Sequence, residues 1–397
     1  MEVTRENRWA VVYHCYLAYF LSGMVILIFG VILPFLIEDR GISFTAAGAM
    51  LSILAVGNLM ASLVYPTLCA RIAQKQATVI LSVFYPACLF LFTLPVPVTA
   101  LYVLIFLIGI AKGMITIINN HAIRQVTGSS GKYLNLLHMW YAIGAFLSPF
   151  LTSVLMSWMG MGWKPILRIL AGATVLIVAA YQTMDFGKFD EAGADSGAES
   201  LASAPAKSGL WFLKNASFWI AVILLFSYMG LENAVNGWFV TYLESTGLMS
   251  AALSAMMVSV TWVMIMVGRI VIASISGRVR PCVILAVITV MQFASIFMLI
   301  GAKTPAMAVA ALVLMGLGMA GTFPTATAFT GDILGASPLG MSVFTGIAGI
   351  GGILTPQIIG VLADQLGFQA AILFLIFDGV LLAACGILTI PASRRRG

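Results

Sequence analysis

Along this chain, apolar residues gather in long runs separated by short polar breaks. Dividing the runs at charges and turn residues gives twelve segments. Six fall at about 11–37, 45–70, 77–94, 98–123, 133–158 and 165–184. Six more fall at about 215–243, 250–275, 282–301, 305–330, 338–363 and 368–391. A helix needs roughly 20 apolar residues to cross a bilayer core, and these runs are of that order. They are continuous and lack period-two alternation, so the pattern predicts spanning helices and not a barrel.

The long polar interruption, DFGKFDEAGADSGAESLASAPAKSGL at 185–210, is rich in Ala, Gly, Ser and acidic residues. It has little to bury and reads as a flexible linker. The expected domains are an N-terminal six-helix bundle over 1–184, a cytoplasmic linker over 185–212 and a C-terminal six-helix bundle over 213–397. The two halves also echo one another. At an offset of 207 residues, Gly144 falls on Gly351, Pro149 on Pro356, Gly160 on Gly367, Arg71 on Arg278 and Gly109 on Gly316. Several matches at one offset, in similar hydropathic context, imply a duplicated chain. Duplication in a membrane protein implies two pseudo-symmetric bundles, an architecture suited to moving solutes. The predicted fold class is an all-α membrane protein of twelve transmembrane helices in two such bundles.

Composition excludes a water-soluble domain, because 61% of the 397 residues are hydrophobic and 9% charged. A net charge of +6 invites a nucleic-acid partner, but the basic residues are too dispersed for one. They sort instead by side of the membrane. With the N-terminus inside, fourteen Lys and Arg are cytoplasmic, and only Arg40, Lys164, Arg168 and Lys303 lie outside. That bias predicts a multi-pass protein of the cell (inner or plasma) membrane with both termini cytoplasmic. The first apolar run is too long for a cleavable signal peptide, and no small-residue cleavage site follows it. Five cysteines stand singly in apolar segments and read as small hydrophobes. Asn215-Ala-Ser217 is formally a glycosylation sequon, discounted because the topology places it inside.

Twelve helices in two sixes, a long central loop and basic turns after the second and eighth helices resemble the major facilitator superfamily. The turns CARIAQKQ (69–76) and SISGRVRP (274–281) keep the basic residues of its loop signature and lack the acidic one. The Pro149 and Pro356 segments resemble its fifth and eleventh helices. A narrower resemblance is to bacterial fucose and glucose/galactose permeases. It rests on SSGKYLNLLHMWYAIGA (129–145), YMGLENAVNGWFVTYL (228–243) and Asn119 in the fourth helix. The resemblance implies a sugar:proton symporter working by alternating access as a functional monomer. Two departures stand out. The first helix carries no carboxylate between Val11 and Ile37, and the fourth offers Lys112 instead.

Ionisable groups at bilayer depth cost several kcal/mol unless paired or hydrated, so they are the best pointers to function. Glu232 lies mid-way along the seventh helix, with Tyr228 and Asn236 one turn to either side on the same face. It is the expected coupling carboxylate and solute ligand. Lys112, followed by Thr116, Asn119 and Asn120 along one stripe, is a charge partner for Glu232 or an anchor for a substrate carboxylate. His138, between Asn135 and Tyr141, extends the polar surface onto the fifth helix as a ligand or a proton relay. Tyr16 is placed to stack on a sugar face. Trp238 and Trp262 are candidate platforms, with packing the alternative for both. Arg71, Arg269 and Arg278 are expected gating residues. Asp332 and Asp364 sit at helix ends, where turn or gate contacts are expected. Asp378 ranks low, because the twelfth helix is peripheral in the superfamily that the chain resembles. GLGMAG (316–321) fits the pattern of a dinucleotide-binding fingerprint, but it lies inside a hydrophobic run without the strand that such a site needs. Small residues allowing helices to approach explain it better, and the same holds for GIAGIGG (346–352).

No metal-ligand cluster, phosphate loop or nucleophile–base arrangement suggests an enzyme, and no cofactor is expected beyond a coupling ion. The expected function is proton-coupled transport of a small polar solute, a sugar or polyol, with sodium as the alternative ion. The rivals are an organic-anion carrier using Lys112, a multidrug-type efflux protein and a solute-binding membrane sensor.

Overall fold

The computed structural model describes residues 5–127, 131–184 and 210–394. Most of the linker (185–209, with Lys188 and Lys207), along with Arg395 and Arg396, lies outside the described residues. Among the described residues every regular element is helical. The first six are α1 (Arg5–Arg40), α2 (Phe44–Cys69), α3 (Gln74–Phe92), α4 (Val98–Thr127), α5 (Gly131–Met159) and α6 (Trp163–Thr183). Next come α7 (Ala216–Ser245), α8 (Ala251–Ile275), α9 (Pro281–Ile300), α10 (Pro305–Met319), α11 (Thr322–Phe329) and the short α12 (Gly331–Gly335). The chain closes with α13 (Pro338–Leu366), α14 (Phe368–Ala371) and α15 (Phe374–Arg394). Taking α10 with α11, and α14 with α15, twelve spans are long and apolar enough to cross a membrane. Large apolar side chains such as Val103, Ile169, Ile270 and Phe377 are exposed on them, as lipid-facing surfaces require. Asn215, at the discounted sequon, accepts a hydrogen bond from the Ser217 amide (2.9 Å) and caps α7.

The tenth span differs from its expected continuous run over 305–330. It breaks at Ala320–Gly321, and the cause lies four residues on. Pro324 has no amide hydrogen to give the Ala320 carbonyl, so the helical ladder fails there.

The chain divides into two compact units. One comprises Met1–Ile42 and Ala49–Ala194, the other Ser43–Gly48 and Asp195–Gly397. Within the first unit, α1 packs along α5, α3 along α4 and α6, and α1 also meets α4 and α6. Within the second, α7 packs along α13 and α15, α9 along α10 and α15, and α8 along α10. The second unit includes the first turn of α2, whose Phe44 and Thr45 amides donate to the Asp364 carboxylate (2.9 and 2.8 Å). In the first unit, Lys164 pairs with Asp39 (2.9 Å) and Arg168 Nε donates to Thr93 (2.9 Å). Arg40 also pairs with Asp39, and it donates to the Leu94 carbonyl. Three of the four basic residues expected outside therefore gather on this group of contacts.

The duplication is visible atom by atom. Arg71 and Ile72 donate their amides to the Leu68 carbonyl, and Arg278 and Val279 do the same to Ile275. All three positions are 207 apart. Both arginines are exposed. Gly109 lies against the Leu54 carbonyl of α2, and Gly316 lies against the Thr261 carbonyl of α8, again 207 apart. Gly144 and Gly351 likewise meet the carbonyls of Phe20 and Phe226. At each of these positions a Cβ would run into backbone, which is why the repeat retains glycine. Gly109→Val and Gly316→Val are each expected to cost about 1–3 kcal/mol by overpacking. Thermal unfolding in detergent checks this, and an unchanged melting temperature would refute the close-approach role.

Candidate functional site

In the first unit, the polar stripe of α4 meets the aromatic residues of α1 and α5. Asn120 donates to the Tyr19 hydroxyl and to the Thr116 carbonyl (2.8 Å). The buried Tyr19 ring stands edge-on to His138 and Tyr141, with centroids at 5.5 and 6.0 Å. Tyr16 stacks on Trp140 at 6.4 Å and donates to the Tyr133 carbonyl (3.3 Å). Tyr16 and Tyr19 are three residues apart and His138 and Tyr141 likewise, so each helix presents one face to this cluster. His138 and Trp140 are exposed, while Lys112 is half-buried one turn before Thr116. Asn119 turns the other way. It is buried against α6, where Tyr181 donates to its side-chain oxygen (3.0 Å). Rings, amides and an imidazole together offer stacking and hydrogen bonds.

In the second unit, the α7 stripe meets α8 and the broken tenth span. The Tyr228 hydroxyl lies within interaction distance of the Glu232 carboxyl group and within electrostatic reach of Arg269. It also donates to the Met319 carbonyl (3.3 Å). One turn on, Asn236 accepts from the Trp262 indole (3.2 Å). Trp238 is fully buried and donates to the Pro356 carbonyl (3.0 Å), so it ties α7 to α13. The structure thus brings Tyr228, Glu232, Asn236, Trp262 and Arg269 to the α7–α8 side and takes Trp238 away from it.

The break in the tenth span gives this group its other wall. Carbonyls released from a helix inside a membrane need donors, because lipid supplies none. Gln292 of α9 donates to Gly318 (3.1 Å), Tyr228 of α7 to Met319, and Arg269 Nε of α8 to Ala320 (3.3 Å). Three successive carbonyls therefore receive side chains from three different helices. Sequence reasoning assigns Arg269 to gating and misses these contacts. Pro324 is the signal that could have found them, since its missing amide marks the orphaned carbonyl four residues earlier. Gly316, Gly318 and Gly321 of the GLGMAG stretch do approach neighbouring helices, against Thr261, Gln292 and Ile272. In GIAGIGG, Gly351 and Gly352 do so, and Gly346 and Gly349 face open space.

On another face of α7, Gly230 packs on a pair that sequence reasoning ranks low. Asp378 of α15 is buried at 1% exposure and accepts from the Thr355 hydroxyl of α13 (2.9 Å). Among the described residues no cation pairs with it. Burying an ionised carboxylate costs several kcal/mol, and one hydrogen bond to it returns only about 1.5–3.

Ionisable and aromatic–amide groups held inside a duplicated set of twelve spans are the build of a membrane transport protein. The chain belongs to the Major Facilitator Superfamily, which it matches over residues 15–337. It is 23% identical over 391 residues to Bypass of stop codon protein 6 of Saccharomyces cerevisiae, covering 89% of this chain and 77% of that one. Its fold is similar to the nucleoside transporter NupG, with a TM-score of 0.75 at 15% identity, covering 97% of this chain and 99% of NupG. It is also similar to a bacterial homologue of the human lysosomal transporter Spinster, in an inward-facing, unoccupied state. There the TM-score is 0.73 at 13% identity, and 98% of each chain is covered. At these identities the two structures speak to the fold.

Proposed function

We propose that this major facilitator moves a small polar, ring-bearing solute, a sugar or polyol, by proton-coupled alternating access. The reading rests foremost on Glu232. Its carboxylate contacts a tyrosine hydroxyl near an arginine charge, one turn from an amide–indole pair. A carboxyl group so placed can hold or release a proton while its neighbours hydrogen-bond hydroxyls. The aromatic–amide cluster of the first unit suits the apolar face of a sugar ring. The resemblance to fucose and glucose/galactose permeases supports the same class. We place the protein in the cell membrane with both termini inside, from its basic-residue bias, and expect it to work as a monomer.

A nucleoside is the second reading, favoured by the density of rings around Tyr16, Tyr19, His138, Trp140 and Tyr141. A base would stack there while its ribose used the same hydroxyl-binding groups. Counterflow in proteoliposomes, screened over sugars, polyols, nucleosides and carboxylates, separates these readings. Sugars or polyols should exchange, and an imposed inward-acid gradient should concentrate them. Exchange of nucleosides alone would select the second reading. Exchange of carboxylates alone, lost in Lys112→Ala, would overturn both in favour of an anion carrier.

A further inference from the structure

Glu232 leaves a second intramembrane carboxyl group without a role, and its surroundings are specific. Asp378 lies where α15 meets α7 and α13, with Thr355 donating to one carboxylate oxygen and Gly230 directly beneath both side chains. A Cβ on Gly230 would collide with the Thr355 hydroxyl and crowd Asp378, so the bare α7 backbone makes room for this pair. One turn back on the same face, the Ser227 hydroxyl is fully buried and has no hydrogen-bond partner among the described residues. An unpartnered buried hydroxyl is costly and uncommon, and it points to a polar site whose occupancy changes. Glu232, two residues beyond Gly230, projects about 200° further round α7, so the two carboxyl groups address different faces.

The titratable and charged groups of the packed elements are few. On α7 they are Tyr228, Glu232, Tyr242 and Glu244; on α13, Asp364; on α9, Cys282; on α15 itself, Cys385 and Arg394. Among the described residues, Asp378 shares no hydrogen bond or ion pair with any of them. One neutral donor cannot hold a buried carboxylate permanently ionised, and the same donor disfavours a permanently neutral acid. A group balanced in this way changes protonation when the packing or hydration around it changes.

We propose that Asp378 is a second proton-binding site, loading and releasing a proton as α7, α13 and α15 repack during the cycle. The inference rests on the proton-coupled reading above for its purpose, but not for its measurement. On loading, a proton from water bonds to the free carboxylate oxygen, and on release it returns to water. Nothing else is exchanged. Infrared difference spectra of the purified protein between acid and alkaline pH should contain a carboxylic C=O band that Asp378→Asn removes. Thr355→Val removes the donor that favours the ionised form, so it should move the titration of that band to higher pH. A carboxylic band of equal strength in the absolute spectra at both pH values, lost in Asp378→Asn, would mean a permanently neutral structural acid and overturn the proposal. So would spectra that Asp378→Asn leaves unchanged. Uptake by the unaltered protein under a pH gradient tests the coupling reading separately, and its failure would leave the infrared result standing.

Discussion

Glu232→Gln is expected to abolish concentrative uptake while leaving exchange of solute across the membrane in place. Glutamine keeps the volume of the side chain and gains an amide N–H that can donate to the Tyr228 oxygen, so the contact between the two need not collapse. What it loses is the ability to carry a proton. One pH unit supplies about 1.4 kcal/mol per proton, enough for roughly tenfold accumulation at one proton per solute. With the coupling proton gone, the accumulation ratio in proteoliposomes should fall from that range to unity, and counterflow should persist within a few-fold. Undiminished accumulation by Glu232→Gln would assign coupling elsewhere, with Asp378 the next residue to test. Loss of counterflow together with accumulation would make Glu232 a solute ligand first. Tyr228→Phe separates those roles further, because it removes the hydroxyl between Glu232 and the broken span but leaves the carboxyl itself.

Much of this arrangement is legible in the sequence, and the limits have physical causes. The spans and their number follow from apolar run length, because lipid makes that signal strong. The duplication is visible in glycines because close helix approach tolerates no side chain at Gly109, Gly316, Gly144 or Gly351. The α7 stripe is visible because residues four apart share a face, and Tyr228 and Glu232 do meet. Rotation about a helix is not legible where polar residues are adjacent. Asn119 and Asn120 differ by about 100° around α4, and only the packed structure sends one to Tyr181 and the other to Tyr19. Trp238 and Trp262 pose the same problem, and their indoles find the Pro356 carbonyl and the Asn236 amide respectively. Asp378 ranks low in sequence on the peripheral place of its helix. Its partner Thr355 stands on another helix, and no local spacing reveals such a pair.

The broken tenth span gives the sharpest test of how the second unit holds together. Pro324 orphans the Ala320 carbonyl, and Arg269 occupies it. Arg269→Ala should therefore leave a carbonyl without a donor and cost about 1–3 kcal/mol, with loss of transport because the charge near Tyr228 disappears as well. Pro324→Ala restores an amide at the position from which a continuous helix would bond Ala320. In that background the stability cost of Arg269→Ala should shrink below about 1 kcal/mol, a coupling measurable as a double-mutant cycle. Transport should not return, because the repaired ladder replaces the hydrogen bond but not the charge. Thermal unfolding of the four proteins in detergent, with counterflow measured in parallel, provides both readouts. Strict additivity of the two substitutions would show that Arg269 does not serve the carbonyl that Pro324 frees. Recovered transport in the double variant would show that the arginine acts only as a helix-break ligand and that its charge plays no part near Glu232.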